Sequence, residues 1–519
     1  MSKVKILLIL TIFTLTSCSP KIKTNLDLVP LIPIPNNSTS LGTSFVVKEK
    51  TKLSFDKSNK DLKLISKNFR KVWKVVSSYD LSSDQAHSEI LIEIDNSKIT
   101  DEEAYILEIS KNNIKLIGSS SEAVFRGVKT LEQLLRLQYL TKSIDKPITI
   151  PTGIISDKPK YSYRGSMLDV ARHFFSVDDV KNYIDLLAMY KFNYLHLHLS
   201  DDQGWRIEIK SWPNLTEHGG STEVGGSSGG FYTQSEYMEI VEYALQNYIT
   251  IIPEIDIPGH TNAALASYSE LNCNNKPTKL YTGTEVGFSS LCLEREETFK
   301  FLDDVIREIT NLTPGPYFHI GGDETHATSE QDYLVFIKST LEIVKKYGKT
   351  GMGWADIAKA QIPQSTLIQY WSRTDKDSIR NEKGIQEVLI GTDKGANIVM
   401  SPANLSYMDM KYNDSTKLGL TWAGIINIKK GYDWLPENLI PVNKNRILGI
   451  EAPLWTETAK NFNELTFLAF PRIIGYSEIG WSQTSQRKWI DYKKRLAQHG
   501  KLLKNLSIVF YESPMIDWK

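Results

Sequence analysis

The sequence predicts an α/β protein in which a (β/α)8 TIM barrel, residues 156–519, follows a small α+β domain, residues 45–155. Three observations carry that expectation. Beyond Pro159, eight short apolar runs have the length and composition of buried strands. Long amphipathic helical patterns fill most of the intervals between them. Acidic, histidine and aromatic residues recur just after the strand runs, which in a barrel is the rim where sites are built. At 519 residues the chain exceeds one average domain of roughly 150, and a barrel of about 250 or more beside a smaller unit accommodates it. Lys plus Arg equals Asp plus Glu at 61 each, so no net field favours nucleic acid or an anionic membrane surface. Recognition must be local, and the 11 Trp offer flat apolar faces that suit sugar rings.

Taken in order, Lys3 and Lys5 precede the apolar run Ile6 to Leu15. That run is too short for the roughly 20 residues a bilayer demands, so residues 1–17 read as a signal peptide. Its end, Leu15-Thr16-Ser17-Cys18, resembles the bacterial lipobox, which implies cleavage before Cys18 and a lipid anchor on it. A lipoprotein of the bacterial cell envelope is the resulting expectation, and the lack of an Asp after Cys18 favours the outer membrane. Residues 18–44, with Pro20, Pro30, Pro33, Pro35 and the run Asn36 to Ser40, read as a tether. Export also bears on Cys273 and Cys292: in an oxidising compartment two remaining thiols read better as one disulfide than as a metal site, which would want more ligands.

In the small domain Ile90–Asp95, Ala104–Ile109 and Ile114–Ile117 alternate as strands. Residues 121–137 form a helix with Val124, Val128, Leu131, Leu134 and Leu135 on one face. No catalytic constellation falls here, and the domain reads as structural. The barrel strands follow at 165–170, 193–199, 250–255, 317–320, 351–354, 367–371, 397–400 and 447–450, with helices at 177–190, 234–248, 296–312 and 333–347. Between strands seven and eight no helix is evident. Strand one runs on into Arg172-His173, strand two into Ser200-Asp201-Asp202, strand three into Asp256 and His260, and strand four into Gly321-Gly322-Asp323-Glu324. Strands five and six end on Trp354 and Trp371; seven leads to Tyr407 and Asp409, eight to Trp455 and Glu457.

Carboxylates with aromatic walls, and no nucleophilic Ser or Cys motif, suggest glycoside hydrolysis. A proton donor must hold its proton at working pH, and both a neighbouring charged carboxylate and burial among tryptophans favour that. Adjacency of Asp323 and Glu324 also argues against the ordinary retaining route, whose two carboxylates stand on opposite sides of the anomeric carbon about 5 to 5.5 Å apart. A pair on one strand end suits a substrate that supplies its own nucleophile.

The motifs His319-Ile-Gly-Gly-Asp-Glu324, Tyr163 to Phe174 (YRGSMLDVARHF), Leu195 to Trp205 (LHLHLSDDQGW), Ile252 to His260 (IPEIDIPGH) and Leu454-Trp-Thr-Glu457 together resemble the family 20 glycoside hydrolases, the β-N-acetylhexosaminidases. The likeness runs from about Asp101 to Trp481. It implies an exo-acting, cofactor-free and metal-free enzyme that removes terminal β-linked GlcNAc or GalNAc from oligosaccharides or glycoconjugates with retention. The substrate's acetamido oxygen attacks to form an oxazolinium ion. By the same resemblance Glu324 is the general acid and base, and Asp323 orients the acetamido group. Arg164 holds ring hydroxyls with Glu457 opposite it, and Asp409 binds a hydroxyl. Trp354, Trp371 and Trp455 wall the acetamido pocket, and Tyr407 bonds its carbonyl. His260, backed by Asp201 rather than Asp202, positions Glu324, and Cys273 and Cys292 sit where many members carry a disulfide. Asp356 receives no role, and Trp434 either lines a leaving-group subsite or packs in its loop.

Two other readings compete. The H-x-H pair His196 and His198 is a zinc-binding pattern of metal-dependent amidohydrolase barrels, although there it usually lies on strand one. A non-catalytic glycan-binding lipoprotein on a degenerate barrel is the other, and the intact Asp323-Glu324 pair speaks against it. Loops 219–230 and 404–436 are expected to shape substrate choice.

Overall fold

The computed structural model describes residues 24–83, 87–142, 146–374 and 379–518. Cys18 and the signal-peptide reading lie outside the described residues. No helix among those described is long and apolar enough to cross a membrane.

Eight parallel strands close into a barrel in chain order: Tyr163–Asp169, Tyr194–His198, Thr250–Glu254, Tyr317–His319, Thr350–Trp354, Leu367–Tyr370, Asn397–Met400 and Ile447–Leu454, the last pairing back onto the first. Helices cover the outside, so every residue of the first strand is buried, as expected of parallel strands with both faces occupied. The helices begin where sequence chemistry lets them. Ser176 with Asp179, and Thr233 with Glu236, form capping boxes that satisfy first-turn N–H groups at the helices Val177–Met189 and Gln234–Gln246. Ser329 caps Glu330–Lys346 by accepting from Asp332 N. The link from strand seven to strand eight carries the short helices Ala403–Ser406 and Ile428–Tyr432 and two single 3-10 turns, Pro436–Asn438 and Lys444–Arg446, so it is loop-built as expected. A helix at Ile379–Asp393 before strand seven was not anticipated.

The small domain is a seven-stranded mixed sheet with two helices, Lys60–Ser77 and Ser121–Thr141. The first helix was missed, although Leu62, Ile65, Phe69, Trp73 and Val76 are spaced to bury one face and do so.

The expected tether is corrected from residue 24 onward. Leu26, Val29, Leu31 and Ile32 are buried, and Asn37–Val46 is the edge strand of the small sheet, antiparallel to Thr149–Asp157. From Pro30 to Pro35 the chain follows a fixed path, because its backbone is bound on both sides. Gln133 of the small domain bonds both N and O of Ile32, while Arg495 of the barrel donates to Leu31 O and Glu478 accepts from Ile34 N. The segment is therefore mortar between the domains. Elsewhere Arg126, paired inside the small domain with Glu103 and Glu122, crosses the joint by donating to Phe192 O and Tyr248 O of the barrel.

Candidate active site

The backbone before the acid pair explains how two consecutive side chains reach one pocket. After strand four the chain turns through Gly321 (φ 63°) and Gly322 (φ 97°), and Glu324 itself is left-handed at φ 46°. Neither glycine tolerates a side chain: a Cβ would stand 1.7 Å from Asp256 Oδ1 at Gly321 and 2.5 Å from Ile357 at Gly322. This is not strand geometry, so the alternation that would send Asp323 and Glu324 to opposite faces does not apply. An oxygen of each carboxyl and a ring nitrogen of His260 lie within 4.8 Å of one another.

His260, after strand three, faces the pair. Its Nε2 is 3.8 Å from Glu324 Oε2 and 3.9 Å from Asp323 Oδ2, and its Nδ1 is 3.2 Å from Asp201 Oδ1. Burial disfavours a charged His260 ring, yet Asp201 and Asp256 raise it well above the usual histidine range. Burial likewise opposes a charged Asp201, but Arg172 and His260 hold it well below the usual carboxylate range. Asp202 turns away, accepting from Asn262 N and Ser289 Oγ and so tying down the loop closed by the Cys273–Cys292 disulfide.

Burial falls on Asp323 more than on Glu324. Asp323 is 7% exposed, and desolvation, with Glu324 beside it, pushes its carboxyl up to about 7 despite His260. Oδ1 of Asp323 has no hydrogen-bond partner among the described residues. A buried acceptor aimed at a pocket is suited to a neutral N–H of a ligand, which would stabilise its ionised form.

Aromatic rings form the wall. Trp354 and Trp371 meet edge to face at 6.3 Å between centroids, Trp354 and Trp455 lie 5.8 Å apart, and Tyr407 stands 6.4 Å from Trp455. Asp356, to which no role was assigned, accepts from Trp371 Nε1 at 3.2 Å and so sets that ring's rotation. Trp422 was missed: it is 39% exposed and lies 5.7 Å from Tyr407 and 6.5 Å from Trp371. Its only sequence signal is membership of the 404–436 loop, which gives no reason to prefer it to Trp434. Trp434 instead is buried and donates to Gly431 O, the packed-loop alternative. A cavity of about 390 Å³ opens beside the pair, bordered by Glu324, His326, Asp356, Trp371 and Glu387.

The polar end of the pocket corrects one assignment. Arg164 is not there. It lies near the amino end of strand one, on the opposite side of the barrel from the site. Arg164 is 1% exposed, forked on Glu103 of the small domain at 3.0 and 2.5 Å. Burial disfavours charge on Glu103, but Arg164 and Arg126 hold its carboxyl down at about 2. Arg172, just past the carboxyl end of the same strand, occupies the place opposite Glu457: Nη1 is 4.0 Å from Glu457 Oε1, and Nη2 is 2.8 Å from Asp201 Oδ2. The strand-end rule pointed to Arg172; the residue number assigned from the resemblance did not. Beside it Asp409 is buried and Glu457 half-buried, and both Asp409 oxygens and Glu457 Oε2 lack a hydrogen-bond partner among the described residues. Desolvation raises both carboxyls, Asp409 well above its ordinary value. Such acceptors fit ligand hydroxyls.

His196 and His198 point into the barrel, where their ring nitrogens face Glu451, Glu254 and Asp201 at 2.5 to 3.0 Å. They lie beneath the pocket wall rather than in the pocket itself.

Similarity to known proteins agrees with this geometry. Residues 161–333 and 327–484 match the model of the catalytic domain of glycosyl hydrolase family 20, and residues 28–158 match that family's domain 2. A β-N-acetylhexosaminidase of Cellulomonas fimi is 39% identical over 418 residues, covering 80% of this chain and 82% of the relative. A β-hexosaminidase of Akkermansia muciniphila is 31% identical over 423 residues, 76% of this chain and 83% of the relative. The Streptomyces plicatus N-acetyl-β-hexosaminidase, solved in complex with Thio-NAglucal, superposes with a TM-score of 0.91 at 42% identity, covering 96% of this chain and 100% of that one. With both of its domains matched in order, the chain belongs to glycosyl hydrolase family 20.

Proposed function

We propose that this protein is an exo-acting β-N-acetylhexosaminidase that releases terminal β-linked GlcNAc or GalNAc from oligosaccharides or glycoconjugates with retention. The observation that carries the reading is the adjacent pair Asp323 and Glu324 turned into one aromatic-walled pocket by Gly321 and Gly322. In the reaction Glu324 gives its proton to the leaving glycosidic oxygen as the C1–O bond breaks. The acetamido carbonyl oxygen attacks C1 from the other face, and Asp323 accepts the acetamido N–H, supporting the oxazolinium ion. Water, losing a proton to Glu324, then attacks C1, breaks its bond to the acetamido oxygen and regenerates the group with retention. Tyr407 bonds the acetamido oxygen, Trp354, Trp371 and Trp455 enclose its methyl, and Arg172, Asp409 and Glu457 hold ring hydroxyls. His260, backed by Asp201, holds Glu324. A panel of chromogenic glycosides with a thiazoline inhibitor tests this. Cleavage of a β-N-acetylglucosaminide that is insensitive to thiazoline and unchanged by Asp323→Asn would sink the substrate-assisted route.

We infer as well that the protein is lipid-anchored at Cys18 in the bacterial cell envelope, outer membrane favoured, on the strength of the Leu15 to Cys18 motif. Metabolic labelling with a fatty acid should mark the protein, and Cys18→Ala should abolish the label. Retention of label in that variant refutes the anchor.

A further inference from the structure

The proposed reaction leaves a group of ionisable side chains unused. His196, His198, Glu254, His319 and Glu451 are all fully buried in the barrel interior beneath the pocket. Burying charge costs several kcal/mol per ion unless each charge is met by well-placed partners, and apolar side chains of like volume would fill the space at no such cost. Here one carboxylate gathers the partners. Glu254, at the end of strand three, places Oε2 2.5 Å from His198 Nδ1 and 3.0 Å from His196 Nε2. Its Oε1 lies 2.8 Å from His319 Nδ1 and accepts from Trp354 Nε1 at 3.1 Å.

Two arms leave this hub toward the pocket. One is a single bond to Trp354, a wall of the acetamido site. The other runs from His198, whose Nε2 is 2.9 Å from Asp201 Oδ2, to Asp201, whose Oδ1 is 3.2 Å from His260 Nδ1, and ends on the ring that faces Asp323 and Glu324. A carboxylate can accept on both oxygens at once, whereas an amide must turn one end as a donor against donors. We propose that Glu254 is a positioning residue whose single carboxylate registers the acetamido wall, through Trp354, with the proton-transfer side of the site, through His198, Asp201 and His260.

Charge in the hub is consistent with this. Burial opposes it, yet the histidines around it hold Glu254 well below the usual carboxylate range; burial lowers His319 itself, so His196 and His198 carry the positive charge. Its partners His196 and His198 are raised by their carboxylates, His196 to about 9. The arms are thus charge-assisted hydrogen bonds, which are shorter and stiffer than neutral ones.

The inference rests on the proposed hydrolase reading, and the test separates the two. Parent, Glu254→Gln, His198→Asn and, as a buried-carboxylate control away from the pocket, Glu478→Gln are assayed on a 2,4-dinitrophenyl and an alkyl β-N-acetylglucosaminide. Glu478 is fully buried and pairs with Arg495. Displacing a positioned acid costs up to about 100-fold, and only poor leaving groups need it. Glu254→Gln should therefore lower kcat on the alkyl glycoside about 10- to 100-fold, spare the dinitrophenyl glycoside to within about threefold, and raise KM for both through Trp354. His198→Asn, which withdraws from Asp201, should reproduce the leaving-group effect with KM little changed. Glu478→Gln should lower stability and leave the ratio between substrates alone. A folded Glu254→Gln with the parent's ratio and KM overturns the proposal, as does Glu478→Gln moving the ratio equally. If Glu254→Gln fails to fold, His198→Asn decides: an unchanged ratio overturns it. A parent that cleaves neither substrate overturns the hydrolase reading instead.

Discussion

Replacing Asp323 by Asn should make the protein both a poor catalyst and a more stable fold, and the stability gain should depend on pH. The structure supplies the magnitude. Burial raises the Asp323 carboxyl from 3.8 to about 7. Between those values the folded chain keeps a proton that the unfolded chain has already released, so the folded state loses ground as pH rises. Each pH unit in that window is about 1.4 kcal/mol, giving a penalty that is absent below about pH 4 and reaches about 4 kcal/mol above pH 7. Asn does not titrate; Asp409 and Glu457, on which Asp323 does not act, contribute equally to both proteins and cancel, while Asp256, raised by burial and by Asp323, falls in the variant and adds to the gain in the same direction. Unfolding entropy of about 2.1 cal/mol/K per residue gives about 1 kcal/mol/K for this chain, so the variant's Tm should exceed the parent's by about 4 °C at pH 7.5 and match it near pH 4. Differential scanning calorimetry across that range, beside kcat/KM on a chromogenic β-N-acetylglucosaminide, makes the measurement. Activity should fall about 10²- to 10³-fold, the scale for losing one preorganised group at developing charge. A Tm difference that is flat with pH, or negative at pH 7.5, refutes the account of Asp323 as a carboxyl whose burial is tolerated for its role.

The other expectations concern roles and staples. Glu324→Gln should abolish hydrolysis of alkyl glycosides by about 10²- to 10⁴-fold while sparing dinitrophenyl glycosides; equal loss on both removes Glu324 from proton transfer. Arg172→Ala should raise KM and lower kcat/KM steeply, whereas Arg164→Ala should cost about 2–3 kcal/mol of stability by removing the fork on half-buried Glu103, which keeps its pair with Arg126, and leave KM alone; the reverse pattern places Arg164 at the sugar instead. Opening the Cys273–Cys292 disulfide by paired Ser substitution removes a 19-residue link and should cost about 3 kcal/mol by the chain-entropy estimate, read as a shift in the denaturation midpoint; no shift argues that the loop is held by Ser289 and Asp202 alone.

The barrel was legible because its signals are local. Eight apolar runs with capped helices between them specify strand and helix whatever surrounds them, and the strand-end rule then collects Asp201, His260, Asp323, Trp354, Trp371 and Glu457 on one rim. Left to local chemistry, the Pro- and Asn-rich segment before residue 45 looks like a tether. Only the two domain surfaces that close on it, through Gln133, Arg495 and Glu478, make it ordered. Arg164 and Arg172 are eight positions apart on one strand and its exit, and sequence alone does not say which end of the barrel each faces. The end depends on strand direction and on what packs there, and Glu103 from another domain decides it for Arg164. Trp422 and Asp356 were invisible for a related reason: an indole in a long loop and an acid beside a tryptophan acquire meaning only from what tertiary packing brings within a few ångströms of them. The sequence by itself determined which chemistry the chain carries and on which strands it stands. Tertiary structure decided which carboxyl bears the burial and which arginine faces the pocket, because desolvation and charge pairing are properties of neighbours that are distant along the chain.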